Sequence, residues 1–89
     1  MKISKSFTIK NEMGLHARVA ALIVKVTEKY QSTVTLEKNG EKADGKSILD
    51  ILTLACPKGS VITVTAEGDD SGSVLEELDA LIESKFGEK

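Results

Sequence analysis

The only histidine and the only arginine of this 89-residue chain, His16 and Arg18, lie two positions apart. They follow a glycine-containing segment without hydrophobic period, residues 11–15, and helical spacing of apolar residues begins at Ala17. The first backbone N–H groups of a helix have no intrahelical acceptor, and the helix dipole adds partial positive charge at the same end. This position therefore favours an anion and disfavours a cation.

A cation is disfavoured there, so we expect the neutral, nucleophilic form of the His16 imidazole to predominate near pH 7. A phosphoryl group on that ring would bring a charge of about −1.5 to −2 to free amides and to the Arg18 guanidinium, which can bind phosphate oxygens bidentately. Phosphoryl transfer depends mainly on positioning and electrostatics, so a carrier needs few other groups. From position alone, an ordinary N-cap His16 and a solvated Arg18 remain the commoner alternative.

The remaining sequence predicts the elements that must position this pair. Alternation of apolar and polar residues predicts four strands, at residues 2–9, 33–38, 41–44 and 60–67. Helical spacing predicts three helices, beginning at Ala17, after Ser47 and after Ser71. Asn39-Gly40 predicts a tight hairpin between the second and third strands. This order favours one mixed sheet with the helices packed on one face, an α+β layered sandwich.

Composition limits the possible functions. With 40% hydrophobic and 29% charged residues, residues 1–89 are expected to form one globular domain. A single cysteine, Cys56, and a single histidine exclude disulfides and clustered His/Cys metal sites, and we expect neither metal nor cofactor. An isoelectric point near 5.4 and 3% aromatic residues argue against nucleic-acid binding. No apolar run reaches the roughly 18 residues of a membrane span, and no secretory signal is visible, so a cytoplasmic location is expected.

Two segments resemble the HPr family, the histidine-containing phosphocarriers of the sugar phosphotransferase system. The run Gly14-Leu15-His16-Ala17-Arg18, followed by two alanines, resembles the active-site segment of that family. Lys46-Ser47-Ile48 resembles its regulatory serine segment, and the region from Lys58-Gly59 to Ala66-Glu67-Gly68 also fits. The resemblance covers essentially the whole chain and implies an open-faced β-sandwich, with a four-stranded, mostly antiparallel sheet and three helices on one face.

The resemblance also implies a function. His16 would accept, on Nδ1, a phosphoryl group from phospho-enzyme I, ultimately from phosphoenolpyruvate, and would pass it to enzyme IIA domains. Arg18 would neutralise the phosphoryl charge, and the amides of Ala17 and Arg18 would donate hydrogen bonds to it. Such a protein is a monomeric carrier in the bacterial cytoplasm, with a phosphohistidine intermediate, rather than an independent enzyme.

Ser47 has two roles to consider. Followed by Asp50, it is predicted to cap the short helix, which is worth about 1 kcal/mol. In some lineages of the family a dedicated kinase, HPr kinase/phosphorylase, phosphorylates this serine, and in others none does. An alternative function is therefore a regulatory HPr-like protein that binds a transcription factor or enzyme through phospho-Ser47; the presence of His16 favours the carrier. A small RNA-binding α/β sandwich is disfavoured by the missing aromatics on the inner strands.

The partner surface is expected beside His16, on the first helix and the short helix. Its predicted members are apolar residues with a basic rim, namely Ile48, Leu49 and Leu52 with Lys25 and Lys46. Of these, Leu52 is the most readily explained as core. Asp50 places an acid where many relatives carry a base, which bears on the choice of partner.

One residue departs from the family motif. Val19 stands where the family usually has proline after the arginine. Proline in a first helical turn presets φ and removes an N–H that is unpaired there. We expect Val19→Pro to leave folding and phosphorylation of His16 possible; a variant that cannot fold, or that accepts no phosphate, would contradict this.

Overall fold

The structure is a computed structural model in which residues 1–88 are described. It contains seven main elements: β1 Lys2–Thr8, α1 Ala17–Thr27, β2 Thr33–Lys38, β3 Glu41–Asp44, α2 Ile48–Thr53, β4 Val61–Glu67 and α3 Ser71–Glu83. A single left-handed turn, Lys85–Gly87, with positive φ at all three residues, follows α3 and was not anticipated from the sequence. The predicted order of strands and helices is confirmed.

The four strands form one sheet in the order β1-β4-β2-β3, and every neighbouring pair is antiparallel. The expectation of a mixed sheet from element order is therefore wrong, whereas the mostly antiparallel sheet implied by the family resemblance is confirmed. β1 and β2 do run in the same direction, but β4 lies between them and pairs with both. The crossover through α1 thus spans one strand position, so no parallel pair forms.

One face of the sheet packs on the helices and the other faces solvent. On β4, Ile62, Val64 and Ala66 are buried, while the alternate residues are more accessible, as period-two alternation requires. Lys5 breaks the alternation on β1. Because β1 is an edge strand, the Lys5 ammonium reaches out to Asp79 on α3, with Nζ 2.7 Å from Oδ2.

The connections follow the local sequence signals. Asn39 and Gly40 both have positive φ, 51° and 84°, as a tight type I′ hairpin between β2 and β3 requires.

The two longer helices are short compared with a membrane span. α1 has 11 residues and α3 has 13. No helix within residues 1–88 combines the length and the apolar character needed to cross a bilayer.

Candidate functional site

His16 is the N-cap residue of α1. Its backbone is extended, with φ −99° and ψ 179°, and its carbonyl accepts the first helical hydrogen bond, 2.9 Å from the Ala20 nitrogen. The imidazole makes no capping bond, so the backbone alone starts the helix and the ring is free for another partner. Within residues 1–88, the amides of Ala17, Arg18 and Val19 have no acceptor. The predicted set of free donors is therefore present beside the ring.

The loop before His16 is pressed against the connection between α2 and β4. Gly14 has φ 67°, and a Cβ placed on it would lie 2.2 Å from the Cys56 carbonyl oxygen, so this position requires glycine. The next amide, that of Leu15, donates to the same oxygen at 2.9 Å, and the Leu15 side chain is buried. These contacts fix the point at which the chain enters α1, and with it the position of His16.

A carboxylate that was not predicted from the sequence faces the imidazole. Glu88 Oε2 lies 2.8 Å from His16 Nε2 and 3.0 Å from Arg18 Nη2. Asn11, which is buried, donates from Nδ2 to both oxygens of Glu88, at 3.3 and 3.2 Å. The hydrogen bond from His16, then those from Asn11 and Arg18, hold the pKa of Glu88 below its usual value despite partial desolvation. At neutral pH, Glu88 is therefore a carboxylate anion that accepts hydrogen bonds from His16, Asn11 and Arg18.

The position of Glu88 depends on a buried anchor two residues earlier. Phe86 is 2% exposed, and its carbonyl accepts from Arg18 Nη1 at 3.3 Å. The backbone reverses through three successive positive φ angles, at Lys85, Phe86 and Gly87, and the Glu88 amide donates to the Lys85 carbonyl. The only sequence signal for this turn is an aromatic residue followed by glycine after an amphipathic helix. That signal predicts a helix end but says nothing of the partner of Glu88.

A family model described as "PTS HPr component phosphorylation site" matches residues 3–84. The chain belongs to the HPr family. The family is that of the phosphocarrier proteins of the phosphotransferase system, as the resemblance implied.

Relatives match over nearly the whole length. Phosphocarrier protein HPr of Xylella fastidiosa is 36% identical over 86 residues, covering 97% of each chain. The HPr-like protein Crh of Halalkalibacterium halodurans is 39% identical over 83 residues, covering 93% of this chain and 99% of the relative. The crystal structure of HPr from Thermoanaerobacter tengcongensis superposes with a TM-score of 0.94 at 44% identity, covering 98% of each chain. The predicted fold class is confirmed by this structure.

Ser47 begins α2, and here the side chain itself forms the cap. Its Oγ accepts from the Asp50 amide at 3.2 Å, which confirms the predicted N-cap. The Asp50 carboxylate bonds the Asp44 amide at 3.1 Å, rather than the Ser47 amide that a capping box would use. Two acidic residues, Asp44 and Asp50, thus make the hydrogen bonds around the start of α2.

Only some residues of the predicted partner surface are fully accessible in the structure. Ile48 and Leu49 are exposed, at 40% and 76%, and Lys25 is exposed on α1. Leu52 is half-buried and packs against the core. The Lys46 ammonium donates to the Tyr30 carbonyl at 2.9 Å, so part of its charge is already engaged within the protein.

Proposed function

We propose that the protein carries a phosphoryl group on Nδ1 of His16, taking it from phospho-enzyme I and passing it to enzyme IIA domains. The observation that carries the proposal is the position of His16 in an HPr-family chain. Its ring caps no amide, and it lies beside three helix amides that have no acceptor within residues 1–88. The side chain is 29% exposed, so a partner can reach it. Within such a pathway the protein would act as a monomer in the bacterial cytoplasm.

The electrostatics of the helix start support an anionic product. The free amides of Ala17 and Arg18 point partial positive charge toward the end of α1, where a phosphate is favoured. The Arg18 side chain is 52% exposed and is held at its end by Glu88 and the Phe86 carbonyl. The N–H donors of this guanidinium that these two contacts leave unused can bind oxygens of a new phosphoryl group.

Partner recognition would use the exposed apolar residues of α2. Ile48 and Leu49 expose apolar surface, and α2 packs against α1, the helix that begins at His16. Exposed apolar residues on adjoining helices are typical of protein interaction sites. Lys25 and Lys46 would supply a basic rim, which speeds association with an acidic partner.

The test is phosphorylation with purified partners. The protein is incubated with enzyme I and phosphoenolpyruvate, and its mass is measured after neutral and after acidic treatment. We expect a gain of one phosphoryl group that is lost in acid, and no gain for His16→Ala. Addition of an enzyme IIA domain should discharge the phosphorylated wild type. Failure of the wild type to gain the group would contradict the proposal.

A second candidate function is regulation through phospho-Ser47. The observation that favours it is the 39% identity to an HPr-like protein named Crh. The fit is poorer, because Ser47 Oγ already accepts from the Asp50 amide and a phosphate would stand near the Asp44 and Asp50 carboxylates. Incubation with ATP and HPr kinase/phosphorylase separates the two: an acid-stable phosphate that disappears in Ser47→Ala supports regulation.

A further inference from the structure

We propose that Glu88 is a positioning residue that fixes the tautomer of His16 and so directs phosphoryl transfer to Nδ1; this rests on the proposed carrier function. A carboxylate at neutral pH can only accept hydrogen bonds. Glu88 Oε2 lies 2.8 Å from His16 Nε2, so the bond between them requires the proton on Nε2. In the neutral ring the other nitrogen, Nδ1, then carries the free lone pair.

The chain end is built to keep this carboxylate in place. Asn11 donates to both oxygens of Glu88 and also donates to the Gly14 carbonyl, at 2.8 Å, within the loop that leads to His16. Arg18 donates to the oxygen that faces the ring. Phe86, buried in the core, fixes the backbone two residues before Glu88. The carboxylate is therefore held from three sides, and its side chain is only 17% exposed.

The same contact stabilises the charge that forms during transfer. When Nδ1 attacks phosphorus, the new N–P bond forms as the bond between phosphorus and the donor group breaks, and the donor leaves with that electron pair. The proton on Nε2 stays in place, so the ring gains positive charge. Glu88 faces that charge across the Nε2 hydrogen bond, in the way that a buried aspartate stabilises the imidazolium of a catalytic triad.

Glu83 offers a matched control. It is an acidic residue of the same chain end, and its carboxylate binds Lys10 at 2.9 and 2.8 Å, not His16. Glu83→Gln removes an equal charge and an exposed ion pair nearby in the sequence. Any difference between the variants at Glu88 and Glu83 therefore reports the contact with the imidazole rather than net charge or general loosening of the chain end.

The first measurement is ¹H–¹⁵N spectroscopy of the unphosphorylated protein under conditions where the ring is neutral. We expect the wild type, Glu83→Gln and Glu88→Gln to hold the proton on Nε2, because a glutamine oxygen can still accept from it. Glu88→Ala should shift toward the mixture of tautomers of a free histidine. An unchanged tautomer ratio in Glu88→Ala would overturn the proposal.

The second measurement is the site of phosphorylation by phosphoramidate, which transfers its phosphoryl group to a ring nitrogen with loss of ammonia and needs no partner protein. We expect the wild type and Glu83→Gln to be phosphorylated at Nδ1. In Glu88→Ala, a measurable share of the phosphorylated protein should carry the group on Nε2. The ¹⁵N and ³¹P chemical shifts identify the modified nitrogen. Identical nitrogen selectivity in all variants would also overturn the proposal. Because neither measurement uses enzyme I, failure of the carrier function leaves both results interpretable.

Discussion

The two helix starts that carry the candidate phosphorylation residues differ in whether a side chain caps their backbone donors. At α2, Ser47 Oγ caps the Asp50 amide, and an acidic residue stands in the first turn. At α1, His16 makes no side-chain cap, and the first turn contains no acidic residue. The counter-charge for α1 comes instead from Glu88, 72 residues further along the chain.

The start of α2 is therefore capped by a side chain, whereas the start of α1 is open, meaning that no side chain caps its first amides. The local cap of α2 is built from adjacent residues and stabilises the helix, so Ser47 has a structural reason to be where it is. Among residues 1–88, the start of α1 leaves three amides without acceptors, and its counter-charge comes from the distant residue Glu88. An open start of this kind can accept a phosphoryl group without losing a cap.

The largest expected effect is on phosphoryl acceptance. Ser47→Ala should retain the acid-labile phosphate delivered by enzyme I, while His16→Ala should lose it entirely, since the nucleophile itself is gone. Mass spectrometry of the two variants after the same incubation measures this. A Ser47→Ala protein that takes up no phosphate would show that the two helix starts act together.

The next effect tests how the open start is held. Gly14→Ala places a Cβ against the Cys56 carbonyl oxygen at positive φ, and should lower the free energy of unfolding by about 3 kcal/mol. Gly59→Ala is the control: it also has positive φ, 92°, but among residues 1–88 no atom beyond its own chain neighbours lies within 4 Å of the added Cβ, so about 1 kcal/mol is expected. Urea unfolding of both variants makes the comparison; equal losses would mean that close packing of the loop is unimportant.

A smaller effect distinguishes the caps themselves. Ser47→Ala should lower the free energy of unfolding by about 1 kcal/mol because the Asp50 amide loses its acceptor. His16→Ala should lower it by less than about 0.5 kcal/mol, since the ring caps no amide and its hydrogen bond to Glu88 is partly exposed. Chemical denaturation at neutral pH measures both values. The reverse order would contradict the assignment of structural and functional helix starts.

The smallest effect concerns pH. The folded protein lowers the pKa of Glu88 from its usual 4.5, mainly through the hydrogen bond from His16. A lowered carboxyl pKa contributes stability above the unfolded pKa, and this contribution is lost as pH falls through the folded value. The difference in stability between wild type and Glu88→Gln should therefore be present at neutral pH and disappear in acid. Thermal unfolding over a pH series measures it, and a difference that grows as pH falls would contradict the sign.

Much of the fold could be predicted because its signals are local. Alternation places Ile62, Val64 and Ala66 inward, and the bounds of β2 and β3 agree with those predicted from the sequence. The strand order could not be predicted, since it depends on which edge each crossover reaches when the helices pack. The parallel pair expected from element order is absent from the described sheet for this reason.

The candidate site divides in the same way. The placement of His16 and Arg18 at one helix start, and of Ser47 as the cap of another, can be predicted from the sequence because each feature depends on residues within four positions. The contact of Glu88 with the imidazole, and of Asn11 with Glu88, depends instead on tertiary packing. Those contacts exist because α3 packs on the sheet and the buried Phe86 fixes where the chain returns, and no short-range pattern records the result of that packing.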